Sequence, residues 1–277
     1  MPDPQTQGTP AETSPPRGRG GLARERMALL RRDALETLSF YRRAAARRAA
    51  ASELRQCTST ADLFRFTQAH FARPPAQNAS ELVRFVDTVS AIGPRTVCEI
   101  GVQDGGTNFI LSRALATVDT MIGVDLHVSL KCQLRYFRRP DLCLRLIDGS
   151  SHAARTRRRV ADALNGRPLD LLFIDGDHSH AGSVRDFLTY RDFVRPGGII
   201  AFHDIVPDTY TRHGVGTAGY AGDVPFVWSE LSSYYRSEEF IDDIDQDGAG
   251  IGVLFYDPRV SAVDDLPVVR SVASPLP

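Results

Sequence analysis

Thr96-Val-Cys-Glu-Ile-Gly-Val-Gln-Asp-Gly-Gly-Thr107 decides the fold of this chain. A short apolar run carries into a glycine turn that opens a helix, which is how a strand hands over to a helix in a nucleotide-binding α/β unit. Further apolar runs follow at 121–126, 142–148, 169–175 and 197–204, and two more at 239–244 and 250–256. The segments between the first five are long enough for crossover helices. Alternation of this kind predicts a parallel, doubly wound α/β sheet of Rossmann-like type, with right-handed crossovers.

The carboxylates fall in register with these runs. Glu99 lies in the first strand, while Asp125, Asp148, Asp175 and Asp204 fall at or near the ends of the next four. Ligands of open α/β sheets bind outside the carboxyl ends of the strands, so these acids are expected to converge on one crevice. Taken singly, each could instead cap the helix behind it. The dinucleotide fingerprint needs glycine where this loop has Gln103, with Asp104 beside it. Both disfavour a pyrophosphate but leave room for a nucleoside without phosphates. Asp125 lies 20 residues after Gly105, where a ribose-binding acid belongs. A mouth rich in carboxylates suits a cation such as a sulfonium. The combination points to S-adenosylmethionine (SAM).

Two neighbouring strand ends carry the remaining chemistry. Leu171-Leu-Phe-Ile-Asp-Gly-Asp-His178 ends in a polar cluster, and Arg195-Pro-Gly-Gly-Ile-Ile-Ala-Phe-His-Asp204 ends in His203 and Asp204. His178 is suited to removing a proton from a hydroxyl near neutral pH.

These stretches together resemble the class I SAM-dependent methyltransferases. Within them the chain is similar to the group of rhamnosyl O-methyltransferases, cephalosporin-hydroxylase-like proteins and macrolide-sugar O-methyltransferases, across roughly residues 80–257. The resemblance implies a seven-stranded sheet of order 3-2-1-4-5-7-6 with strand 7 antiparallel. It implies cofactor contacts from Glu99, Gly101, Gln103, Gly105, Thr107, Asp125, Asp148 and Ser150. It implies Asp175 and His178 as catalytic residues, His178 being the general base, and Asp175, His203 and Asp204 as holders of a divalent metal. His203 departs from the all-oxygen set that Mg²⁺ prefers. The implied activity is O-methylation of a hydroxyl on a small molecule or glycoside, as in natural product biosynthesis. A nicotinamide oxidoreductase is a rival that Gln103 argues against. A non-catalytic scaffold is another.

The rest of the chain frames this core. Residues 1–20 are Pro- and Gly-rich without Leu, Ile, Val or an aromatic residue, and read as a disordered tail. Residues 21–90 read as an N-terminal helical extension, 91–257 as the methyltransferase core with a lid at 209–236, and 258–277 as a C-terminal tail. Tyr220 and Trp228 are candidate lid walls, although Trp228 could equally be core packing behind Asp223 and Pro225. Asn78 and Glu81 have capping-box spacing. Ala23, Met27, Leu30, Ala34, Leu38, Tyr41 and Ala45 form a helical stripe, and residues 17–56 carry eleven Arg against four acids. The ordinary expectation is that this stripe packs on the core; the alternative is an anionic-membrane or partner surface, and these helices are also the expected route to a homo-oligomer. The acidic stretch 238–265 could contact the Arg-rich helix.

Composition excludes little else. With 33 Lys+Arg against 34 Asp+Glu and a net charge of −1, the chain lacks the basic excess of a nucleic-acid binder. No apolar run approaches the roughly 20 residues of a transmembrane helix. The opening MPDPQTQGTP lacks a secretory pattern, and the four cysteines contain no CxxC pair. A cytoplasmic protein with free thiols is therefore expected.

Overall fold

The computed structural model describes residues 19–216, 220–260, 263, 267–270 and 272. Four helices lead, α1 (Arg19–Arg42), α2 (Ala44–Leu54), α3 (Thr60–His70) and α4 (Ala79–Ala91). Alternating elements follow: β1 (Thr96–Ile100), α5 (Gly106–Ala114), β2 (Thr120–Asp125), α6 (Lys131–Phe137), β3 (Cys143–Asp148), α7 (Ala154–Leu164), β4 (Leu169–Ile174), α8 (His180–Tyr190) and β5 (Val194–His203). The chain continues through α9 (Thr209–His213), α10 (Val224–Ser232), β6 (Ser237–Phe240) and β7 (Ile251–Phe255). The strands form one seven-stranded sheet of order β3-β2-β1-β4-β5-β7-β6, with β7 antiparallel to β5 and β6. This is the predicted architecture.

Both faces of the sheet are covered, which is why the inner strands read as continuous apolar runs rather than alternating ones. On one face Cys98, Ile122, Leu172 and Phe202 pack with Phe187 of α8 and Trp228 and Leu231 of α10. On the other, Val97, Met121, Phe173 and Ala201 pack with Phe66 of α3, Leu82 and Phe85 of α4 and Phe109 of α5. The N-terminal helices are therefore not an appendage: α3 and α4 supply much of one core layer.

Several local expectations change. Asn78 makes no side-chain cap, and Glu81, fully buried, instead accepts hydrogen bonds from Asp242 N, Gln246 Nε2 and Gly250 N at the β6–β7 connection. Burial with three donors from a distant loop wins over a local cap. Trp228 is 3% exposed, and its indole donates to Glu239 Oε1 at 2.6 Å. A Cβ on Gly252 of β7 would lie 2.5 Å from the indole, so Trp228 is core packing. The acidic stretch meets Arg84 of α4, through Asp242 at 2.7 Å. The helical stripe of α1 is reversed from the ordinary expectation: Met27, Leu30, Leu38 and Tyr41 face outward, each about half exposed or more. The tail at 1–18, and most of the segment beyond 260, lie outside the described residues.

Candidate active site

A cavity of about 1020 Å³ runs along the carboxyl ends of β2, β1, β4 and β5. Gly101, Gln103, Gly105, Thr107, Asp125, Ser150, Asp175, His178 and Asp204 all line it, so most of the sequence-predicted site residues converge as expected.

One end is shaped by main chain. Gly101 sits at φ 93°, and a Cβ there would fall 1.7 Å from the carbonyl oxygen of Asp175, so only glycine lets the ends of β1 and β4 approach. Gln103, at φ 48°, turns its N–H onto Asp125 Oδ2 at 2.8 Å, while His127 N–H donates to Oδ1 at 2.9 Å. The carboxylate is thereby fixed at the rim with further lone pairs free. Leu126 beside it is 76% exposed while lining the cavity, an apolar surface that a flat ring could cover. Cavity size, a fixed rim carboxylate and this platform fit an adenosyl group.

The other end is shaped by side chains. Asp175 Oδ1 lies 3.2 Å from His203 Nδ1 and 3.5 Å from His178 Nε2. Asp204 Oδ2 lies 3.2 Å from His203 Nδ1 and 3.5 Å from His178 Nδ1. The outer oxygens are also engaged: Gln77 Nε2 donates to Asp175 Oδ2 at 2.8 Å, and Ala249 N–H to Asp204 Oδ1 at 2.9 Å. Thr107 Oγ1 donates to Gln77 Oε1 at 2.6 Å, linking the two ends. His178 Nδ1 donates to the Tyr220 carbonyl at 2.6 Å, and its ring stacks on the Tyr220 ring at 5.6 Å. That assignment leaves Nε2 as the nitrogen with a lone pair.

The electrostatics follow. Burial pushes the Asp175 carboxyl up, but the His203 charge and the hydrogen bonds from protonated His178 and from His203 outweigh it and hold it below the ordinary carboxylate range. Burial pulls His203 down, yet the charges of Asp175 and Asp204 raise it well above the ordinary histidine range. His178 is likewise lowered by burial and raised on balance by Asp175, Asp204 and the Tyr220 carbonyl.

Three predicted site residues stand outside the cavity lining. Glu99 is buried under the glycine loop, with Oε2 lacking a partner, and burial raises it to about 8. Asp148 is bound to Lys131 Nζ at 2.9 Å and accepts from Val128 N–H. His203 is buried behind the two carboxylates. The group of described residues with metal-ligand spacing is Asp175, His178 and Asp204, one ligand atom from each lying within 4.8 Å of the others. Sequence reasoning missed Gln77, which sits after Pro74-Pro75 with no motif around it, and His152, a cavity residue 3.2 Å from the buried Asp186.

Residues 98–205 match a family described as a methyltransferase domain. Over that stretch the chain is similar to a methyltransferase domain. Its fold is similar to that of an O-methyltransferase from Bacillus cereus in complex with SAH, at 16% identity over 72% of this chain and 92% of that one, with a TM-score of 0.51. It is also similar to the O-methyltransferase TomG of Streptomyces achromogenes, involved in tomaymycin synthesis and solved with SAM, at 14% identity over 75% and 90% of the chains, with a TM-score of 0.49. At such identities the likeness is one of fold. No curated protein matches the chain. No helix among the described residues is long and apolar enough to cross a membrane.

Proposed function

We propose that this methyltransferase domain transfers the methyl group of SAM to a hydroxyl of a small molecule or glycoside, of the kind met in natural product biosynthesis, with His178 as general base. The observation that carries the reading is His178, an imidazole in the wall of the cavity that begins at Asp125, with Nε2 3.5 Å from Asp175 Oδ1. The sulfonium methyl supplies the electrophile. The glycine loop and Asp125 hold the adenosyl part; a hydroxyl at the β4–β5 end then needs to lie about 3–3.5 Å from the methyl carbon, in line. The Tyr220 carbonyl keeps a proton on Nδ1, so Nε2 accepts the hydroxyl proton. Asp175 and Asp204 stabilise the imidazolium that forms. Tyr220, exposed beside His178, is one wall for the acceptor.

The spacing of Asp175, His178 and Asp204 fits a divalent ion that accepts nitrogen, such as zinc, better than magnesium. Held there, it would supply positive charge that lowers the pKa of the hydroxyl. It would also compete with the His203 proton for the same oxygens and occupy the base, so no step here depends on it.

Calorimetric titration with SAM and with NAD(H) tests the cofactor: SAM binding is expected, and tight NAD(H) binding without it overturns the reading. His178→Ala is expected to cut turnover roughly 10²–10⁴-fold with SAM affinity intact; a near-normal rate removes the base. Turnover should survive exhaustive chelation, and its loss and return with added zinc would instead seat a metal on the three residues.

A further inference from the structure

The two faces of α1 are assigned the opposite way round from an ordinary surface helix. Three of its charged residues, Arg32, Asp33 and Glu36, face the protein. Arg32 donates to Ser129 Oγ at 2.9 Å, Asp33 pairs with His127 and Lys131, and Glu36 accepts the Leu130 N–H at 3.1 Å. Its apolar residues Met27, Leu30, Leu35, Leu38 and Tyr41 face outward, 47% to 67% exposed. Between Met27 and Tyr41 that row is about 21 Å long at 1.5 Å per residue. Arg47 lies 4.4 Å from the Phe40 ring centroid and 5.6 Å from that of Tyr41, bracing the junction with α2.

Charge decides what such a face can meet. Arg31 and Arg42 of α1 are exposed beside the row and form no ion pair among the described residues. The only acids between residues 27 and 49 are Asp33 and Glu36, and both are engaged on the inward side. A second copy laid on this face would oppose arginines with arginines and offer no acid to offset them. An anionic headgroup layer supplies the missing charge, and its acyl boundary takes the apolar row.

We propose that the outward face of α1 is a docking surface for an anionic lipid bilayer, lying in the interface plane rather than crossing it. The inward face meanwhile keeps its hold on residues 127–131, so docking leaves the cavity intact. This inference is independent of the methyl-transfer reading.

The test is co-sedimentation of the full chain with vesicles of phosphatidylcholine containing phosphatidylglycerol, and with phosphatidylcholine alone, at low and high salt. Binding is expected to the anionic vesicles only and to weaken with salt. Arg31→Ala and Arg42→Ala should each lower partitioning roughly fivefold. Leu38→Asp should abolish it, with the thermal melt unchanged because that side chain touches no core. Equal binding to neutral vesicles, or none to anionic ones, overturns the proposal. So does a concentration-dependent doubling of mass that Leu38→Asp removes, which would give the face to a second copy.

Discussion

The two ends of the cavity are built from different material. At the β1–β2 end the shape is backbone: Gly101 at φ 93°, Gln103 at φ 48°, and an Asp125 carboxylate held by two N–H groups. At the β4–β5 end it is side chain, with Asp175, His178, His203 and Asp204 packed at 3.2 to 3.5 Å. Those four are held in turn by Gln77, Tyr220 and Ala249, which come from three separate loops. A backbone site fails when a Cβ is added and tolerates much else. A side-chain site fails when one charge is removed, even though the fold survives.

The largest expected effect comes where the two ends touch. Gly101→Ala places a methyl group 1.7 Å from the Asp175 carbonyl oxygen, so β1 and β4 must separate. Both ends then lose their shape, and SAM binding and turnover should disappear together, with a fall in melting temperature matching more than about 3 kcal/mol. Gly93→Ala is the control. Its φ of 58° is also left-handed, but no atom lies within 4 Å of the added Cβ. It should cost only about 1–2 kcal/mol and leave the site alone. Equal effects from the two variants would show that backbone conformation, not the close approach, is what Gly101 provides.

Next in size is the charge network. His178 is raised on balance, and a base works only when neutral, so turnover should climb with pH through a value above the ordinary histidine range near 6.5. Asp175 contributes more than any other group to that rise, although burial opposes it. Asp175→Asn should therefore move the acid limb of the turnover profile to lower pH. The plateau should also fall, because the imidazolium loses a partner. SAM affinity should change little. A limb that stays in place would mean that another group titrates.

This contrast also explains what was legible in the sequence. The doubly wound α/β class was readable because five apolar runs are bounded by glycine turns and acids, and period and punctuation are local signals; the strand order came only from the family resemblance. The glycine loop and Asp125 were readable for the same reason, since their partners are near in sequence. The β4–β5 end was legible as a list of residues but not as an arrangement. His203 was expected to hold a metal, but its buried ring lies behind the carboxylates. Gln77 and Tyr220 carry no local mark at all. Glu81 looked like a helix cap, yet its partners lie more than 160 residues away. The stripe of α1 was seen, but which way it faced depended on Ser129, Leu130 and Lys131, and periodicity alone is silent about that.

The smallest expected effect sharpens the comparison, because it reaches the backbone end through a side chain. Leu130 sits at φ 51°, a conformation a Leu rarely takes, and its N–H is held by Glu36 Oε2 of α1. Asp33 reaches Lys131, which in turn holds Asp148 at the end of β3. The segment that follows Asp125 is thus kept in a strained shape by a helix more than 90 residues upstream. Glu36→Gln keeps the size and an acceptor but removes the charge, and a charge-assisted hydrogen bond contributes about 1.5–3 kcal/mol against about 1 for a neutral one. SAM affinity should fall severalfold, with turnover at saturation unchanged, because no group at the β4–β5 end has moved. Leu130→Gly should offset part of the loss, since glycine takes the same φ without strain. If Glu36→Gln lowers saturated turnover instead, the two ends are coupled through more than the Thr107–Gln77 link, and the division between them does not hold.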